Sequence, residues 1–121
     1  MNIEAIAIDL DGTLLTHDKK ITPYSLSILQ KAMEKGIKVI VATGRSLATC
    51  ERFVNEIGVQ DPIICYNGSC IYDTHSQKDL FHQPMSEEMC KEIISLVGTT
   101  KASLQAFRHH KVYYRKDAKN A

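Results

Sequence analysis

Three short apolar runs constrain the fold most: "IEAIAI" near the start, "IKVIVA" at 37–42 and "PIICY" at 62–66. Continuous apolar character over so few residues, with β-branched side chains prominent, suits strands buried on both faces. Two stretches with helical spacing lie between them. In the first, Thr22 can cap the helix, Pro23 takes the first helical position, Leu26, Leu29 and Met33 share a face, and Gly36 supplies a stop. In the second, Leu47, Cys50, Val54 and Ile57 define one face and Gly58 closes the helix. Buried strands alternating with amphipathic helices predict an α/β fold with three parallel strands and right-handed crossovers.

From about residue 69 the texture changes. "CIYDTHSQKDLFHQP" reads as a hairpin with a polar turn. A helix is expected from about Ser86 to Val97, with Glu87 and Glu88 in its first turn and Met89, Ile93 and Val97 on one face. "ASLQAF" and "KVYYR" are expected to form a second hairpin around His109 and His110. The expected organisation is therefore a core over 1–68 and the beginning of a second, α+β module over 69–121. A chain of 121 residues has room for about one small domain plus a fragment.

Ligands of open parallel sheets bind beyond the carboxyl ends of the strands. Three polar clusters fall there: Asp9/Asp11, Thr43-Gly44-Arg45 and Asn67-Gly68. Strand alternation would put Asp9 and Asp11 on one side, and paired carboxylates suit a hard cation such as Mg²⁺, which takes one or two of them and completes its shell with water and phosphate. An isolated Asp-x-Asp-Gly can equally be a turn whose side chains bond nearby N–H groups. The buried run before it and the two clusters on the same sheet edge favour a site. An EF-hand is excluded, since the sixth and twelfth positions counted from Asp9 are Leu14 and Lys20. "ATGRS" at a strand-to-helix junction can offer a phosphate a hydroxyl, a close backbone N–H and a helix N-terminus, with Arg45 as a positive fork; the plainer alternative is a glycine turn beside a surface arginine. There is no Walker loop and no G-x-G-x-x-G.

"DLDGTLL", "VATGRS" and "CYNG", in this order and spacing, resemble the haloacid dehalogenase-like phosphatases, specifically the Cof-type subgroup with an α/β cap. The resemblance implies a partial Rossmann-like core and the entry into the cap. It implies that Asp9 is the nucleophile that becomes an aspartyl-phosphate, and that Asp11 is the general acid and then base. Mg²⁺ would be held by the Asp9 carboxylate and the Asp11 backbone carbonyl, and phosphate oxygens by Thr43 and the Gly44 N–H. Arg45 and Asn67 lie where such proteins contact substrate or brace the site.

In that family a lysine and a second acidic segment follow the cap. Lys101, Lys111, Lys116 and Lys119 lie in cap-like or terminal sequence, so the 121-residue polypeptide alone is expected to be a truncated or split form. Its activity should be severely impaired, because most of the acceleration of phosphate-monoester hydrolysis comes from charge stabilisation. The uncovered edge of the first strand is expected to invite dimerisation or strand exchange. The expected function is Mg²⁺-dependent hydrolysis of a small, sugar phosphate-like metabolite. A catalytically silent phospholigand-binding or assembly module is the alternative, and a D-x-D glycosyltransferase is disfavoured by length.

A net charge of +1 gives no sign of a nucleic-acid partner. No apolar run reaches the ~20 residues of a membrane span, and Glu4 and Asp9 interrupt any signal-peptide pattern, so a cytoplasmic protein is expected. Cys50, Cys65, Cys70 and Cys90 form no C-x-x-C pair and read as reduced bystanders. His109 and His110 read as surface turn residues, and Tyr113 and Tyr114, beside Arg115, as partly buried strand residues.

Overall fold

The computed structural model describes residues 2–115; Lys116 and Lys119 lie outside the described residues. The chain divides into two compact units, Met1–Gln83 and Pro84–Ala121.

In the first unit, strands β1 (Ala5–Ile8) and β2 (Lys38–Val41) pair in parallel, Ala5 opposite Lys38 and Ile8 opposite Val41. Helix α1 (Pro23–Glu34) connects them. It begins as its sequence dictates: Thr22 Oγ1 accepts the Ser25 N–H at 3.1 Å and Pro23 follows the cap. Helix α2 (Leu47–Ile57) leads to β3 (Ile63–Cys65) and ends on Gly58, whose φ of 80° is the left-handed geometry that glycine accepts without strain. The third parallel strand is short. It meets β2 through one bridge, Ala42 with Ile64, and through the Thr43 N–H donating to the Ile64 carbonyl at 2.8 Å. On its other side β3 pairs antiparallel with β4 (Cys70–Asp73), which pairs with β5 (Lys78–His82). The hairpin expected to open the second module thus extends the β3 ladder, and the break between units falls after it.

The core lies between the strands and α2. Val39, Val41, Val54, Ile57 and Ile63 are essentially without solvent contact. In α2 the predicted face of Leu47, Cys50, Val54 and Ile57 is buried throughout. Cys50, Cys65 and Cys70 are buried free thiols, and burial pushes the Cys50 thiol up to about 11, away from thiolate chemistry. One expectation fails at β1. Ala5 and Ala7 are exposed and Ile6 and Ile8 only part-buried, because among the described residues β1 has a hydrogen-bonded neighbour on one side alone.

In the second unit, α3 (Glu87–Gly98) is capped by Ser86, whose Oγ accepts the Met89 N–H at 3.2 Å. Strands β6 (Gln105–Arg108) and β7 (Lys111–Tyr114) form a hairpin whose two turn residues, His109 and His110, both have positive φ, at 49° and 62°. The Arg115 guanidinium donates to the carbonyls of Val97, in the last turn of α3, and Thr100, just past it. Tyr113 and Tyr114 are exposed rather than partly buried, since within this unit one helix and one hairpin leave much of their rings in solvent. Ile93 and Val97 are half-buried, but Met89 is exposed as well. No helix among the described residues is long and apolar enough to cross a membrane.

Leu10 is fully buried immediately after β1. Leu10→Ala should cost about 2–5 kcal/mol in urea unfolding, the range for emptying a tight apolar site. Leu80→Ala, at an exposed position, should stay within about 0.5 kcal/mol.

Candidate active site

β1 ends at Ile8, and the chain then winds into a turn over Leu10–Leu14. The Leu14 and Leu15 N–H groups donate to the Asp9 and Leu10 carbonyls at 3.2 and 2.9 Å, five residues back in each case. Gly12, at φ 76°, permits the winding, and the buried side chains of Leu10 and Leu14 peg it to the core. Asp11 is therefore not a strand residue, and alternation along a strand is not what sets its direction. The chain reverses at Asp11 and Gly12, whose φ/ψ of −69°/127° and 76°/0° are those of a type II turn, so the direction of Asp11 is set by the turn. Asp9 Oδ1 accepts the Leu10 N–H at 2.8 Å, and its Oδ2 has no hydrogen-bond partner among the described residues. Asp9 is exposed.

The second cluster leaves the sheet at a matching level. The Ile8 carbonyl accepts from the Ala42 N–H at 2.9 Å, and Asp9 and Thr43 are the next residues on the two strands. Thr43 is buried, and its Oγ1 accepts the Arg45 N–H at 3.0 Å. Arg45 then reaches across to the first loop, its Nε 2.6 Å from Asp11 Oδ2 and its Nη2 2.8 Å from Asp11 Oδ1. The guanidinium also lies 5.2 Å from the centre of the Phe53 ring and donates through Nη1 to the Thr49 carbonyl, so α2 holds it from behind. Lys19 Nζ is 2.7 Å from Asp11 Oδ1. Hydrogen bonds from Arg45 and then Lys19 hold the Asp11 carboxyl well below the usual carboxylate range.

The third cluster locks onto the second. The Asn67 N–H donates to the Thr43 carbonyl at 3.2 Å and the Tyr66 N–H to the Arg45 carbonyl at 3.0 Å. Tyr66, Asn67 and Gly68 all have positive φ, at 50°, 55° and 89°, an unusual run that folds this segment back against residues 43–45. Gly44 is required by that closeness. A Cβ there would sit 2.7 Å from Asn67 Oδ1, inside contact distance.

Asp11 and Arg45 are thus joined directly, Arg45 to Thr43 through the backbone, and Thr43 and Gly44 to Asn67. Asp9 stands beside this network on the adjoining strand end. Lys19 belongs to the same cluster and escaped the sequence reading; its only signal is a lysine in a tight, glycine-free turn, "THDKK". The donor set suits Mg²⁺, since Asp9 offers an unpaired carboxylate oxygen and the Asp11 main chain a carbonyl, both hard ligands. The Asp11 carboxylate is taken by the two cations.

The sequence profile of the haloacid dehalogenase-like hydrolases matches residues 6–121. Pyridoxal phosphate phosphatase YbhA of Escherichia coli (strain K12) is 36% identical over 98 residues, which are 81% of this chain and 36% of that protein. HMP-PP phosphatase of Serratia proteamaculans (strain 568) is 32% identical over 84% of this chain and 37% of its own length. The chain therefore spans little more than a third of these curated relatives. Among solved structures, a haloacid dehalogenase-like hydrolase from B. subtilis superimposes with a TM-score of 0.81 at 27% identity, over 93% of this chain and 39% of that one. Another from Bacteroides thetaiotaomicron gives 0.86 at 22% identity over 98% of this chain and 46% of that one, a likeness of fold. Motifs, strand-end geometry and similarity agree: the chain belongs to the haloacid dehalogenase-like hydrolase family.

Proposed function

We propose that this chain carries the nucleophile half of an Mg²⁺-dependent phosphatase acting on a small phosphorylated metabolite. The observation that supports this best is the different treatment of its two carboxylates: Asp9 keeps an unpaired oxygen, whereas Asp11 is held on both oxygens by Arg45 and Lys19.

In this reading an Asp9 oxygen attacks phosphorus, the phosphorus–oxygen bond to the leaving group breaks, and Asp11 gives that oxygen its proton. A water then attacks the aspartyl-phosphate, Asp11 takes its proton, and the bond to Asp9 breaks to free phosphate. Thr43 and the Gly44 N–H hold phosphoryl oxygens, with Asn67 bracing Gly44. The Asp9 carboxylate and the Asp11 carbonyl would hold Mg²⁺, which would supply neutralisation of the phosphoryl charge. The cations on Asp11 favour its anion, the state the water-activating half needs, so the proton-donating half requires the clamp to loosen. The first unit, Met1–Gln83, carries this chemistry, and the chain from Pro84 onward opens the cap that would select the substrate. The relatives are named for pyridoxal phosphate, HMP-PP and 5-amino-6-(5-phospho-D-ribitylamino)uracil, three different molecules that share a phosphoryl group. We assign this chain the shared chemistry and a small phosphorylated metabolite as its substrate class.

The second reading, a silent phospholigand-binding module, is favoured by the same clamp, which keeps the general acid unprotonated. Turnover of p-nitrophenyl phosphate with Mg²⁺, compared with Asp9→Asn, separates the two. The phosphatase reading expects Asp9→Asn to lower turnover by roughly a hundredfold or more. Turnover untouched by that change removes Asp9 as nucleophile, and phosphate binding without turnover supports the silent module.

A second expectation concerns pH. Asp11 is depressed in the folded state, so its contribution to stability is complete above the ordinary Asp value of ~4 and drains away as pH falls below that toward the folded-state value. In carboxyl NMR it should remain ionised through the range where ordinary aspartates protonate. In Arg45→Met it should titrate closer to that range.

A further inference from the structure

Asp11 is gripped from two directions. Arg45 comes from the α2 side, 22% exposed and backed by Phe53 and the Thr49 carbonyl. Lys19 comes from a separate turn, residues 16–20, whose base is set by the bridge between the buried residues Leu15 and Ile21. Within the turn the Thr16 N–H donates to the Lys20 carbonyl at 2.8 Å, the Lys19 N–H to the Thr16 carbonyl at 2.9 Å, and the Lys20 N–H to Thr16 Oγ1 at 3.1 Å. These bonds fix the backbone at Lys19 with φ 59°, a left-handed geometry natural to glycine or asparagine and strained for lysine. Backbone preference therefore does not explain a lysine here. Its side chain does, because from this position Nζ reaches Asp11 Oδ1, already bonded by Arg45 Nη2.

A bidentate arginine alone lets the carboxylate and guanidinium shift together. A second cation on one oxygen, mounted on a different segment, pins the pair. We propose that Lys19 is a positioning residue for Asp11: in the resting site, before the clamp loosens for proton donation, it fixes that carboxylate together with Arg45, so that Asp9 alone of the two presents an unpaired oxygen to a phosphoryl group. The functional part of this rests on the phosphatase reading; the clamp itself does not.

The test uses the 121-residue chain and needs no turnover. Lys19→Gly removes the ammonium while suiting the left-handed backbone, so thermal stability should hold or rise. Exchange of the Arg45 Nε–H with water, followed by ¹⁵N NMR, should quicken roughly tenfold or more as the pinned pair loosens. Lys19→Arg should restore protection lost in Lys19→Gly, and Lys19→Asn, the other residue at home in this geometry, should match Lys19→Gly. Unchanged Arg45 protection in Lys19→Gly overturns the proposal. So does a fall in melting temperature with protection intact in the folded protein, which would make Lys19 a stabiliser of its turn. Loss of turnover in Asp9→Asn with no effect of Lys19 on Arg45 would leave the phosphatase reading standing and this one refuted.

Discussion

The bidentate pair between Arg45 and Asp11 is the contact on which the site depends. Partly exposed ion pairs contribute little to stability, typically about 0–1 kcal/mol, so its value lies in geometry. The first loop is anchored to the core by Leu10 and Leu14 but is otherwise a wound segment with a left-handed glycine. Arg45 ties its acidic tip to the entrance of α2, and the same residue ties back through its own backbone to Thr43 and Tyr66. Three strand ends that share only short ladders are thereby brought to a common surface.

The division of labour between two nearby acids follows from what surrounds each. One accepts a single amide bond at the mouth of β1, and the other carries charge-assisted bonds on both oxygens. Opposite charges placed on one of two nearby acids give that acid a different character from its neighbour. The apolar floor beneath, built from β2, β3 and α2, is what allows such a charged rim to stay in place.

Much of this was legible from residue order. The helix starts at Thr22-Pro23, the stop at Gly58 and the buried face of α2 were all readable, because caps and spacing are local properties. The three polar clusters were placed correctly at strand ends, since hydrophobic runs mark where strands finish. Local pattern could not show that the chain leaves the strand before Asp11, because Leu10 continues the apolar run while its backbone has already turned. Nor could it show Lys19 at Asp11, a pairing eight residues apart that depends on the shape of a turn. The exposure of Ala5, Ala7 and the two tyrosines was equally hidden, for burial depends on which layers cover a strand and not on the strand's own residues.

Gly44 and Asn67 carry a further consequence. The carboxamide at 67 occupies the volume that any side chain at 44 would claim. These two positions cannot vary independently: enlarging one is tolerable only if the other shrinks or swings away. Their effects in combination should depart from the sum of the separate effects, so tolerance at either site can be judged only with the identity of its neighbour stated.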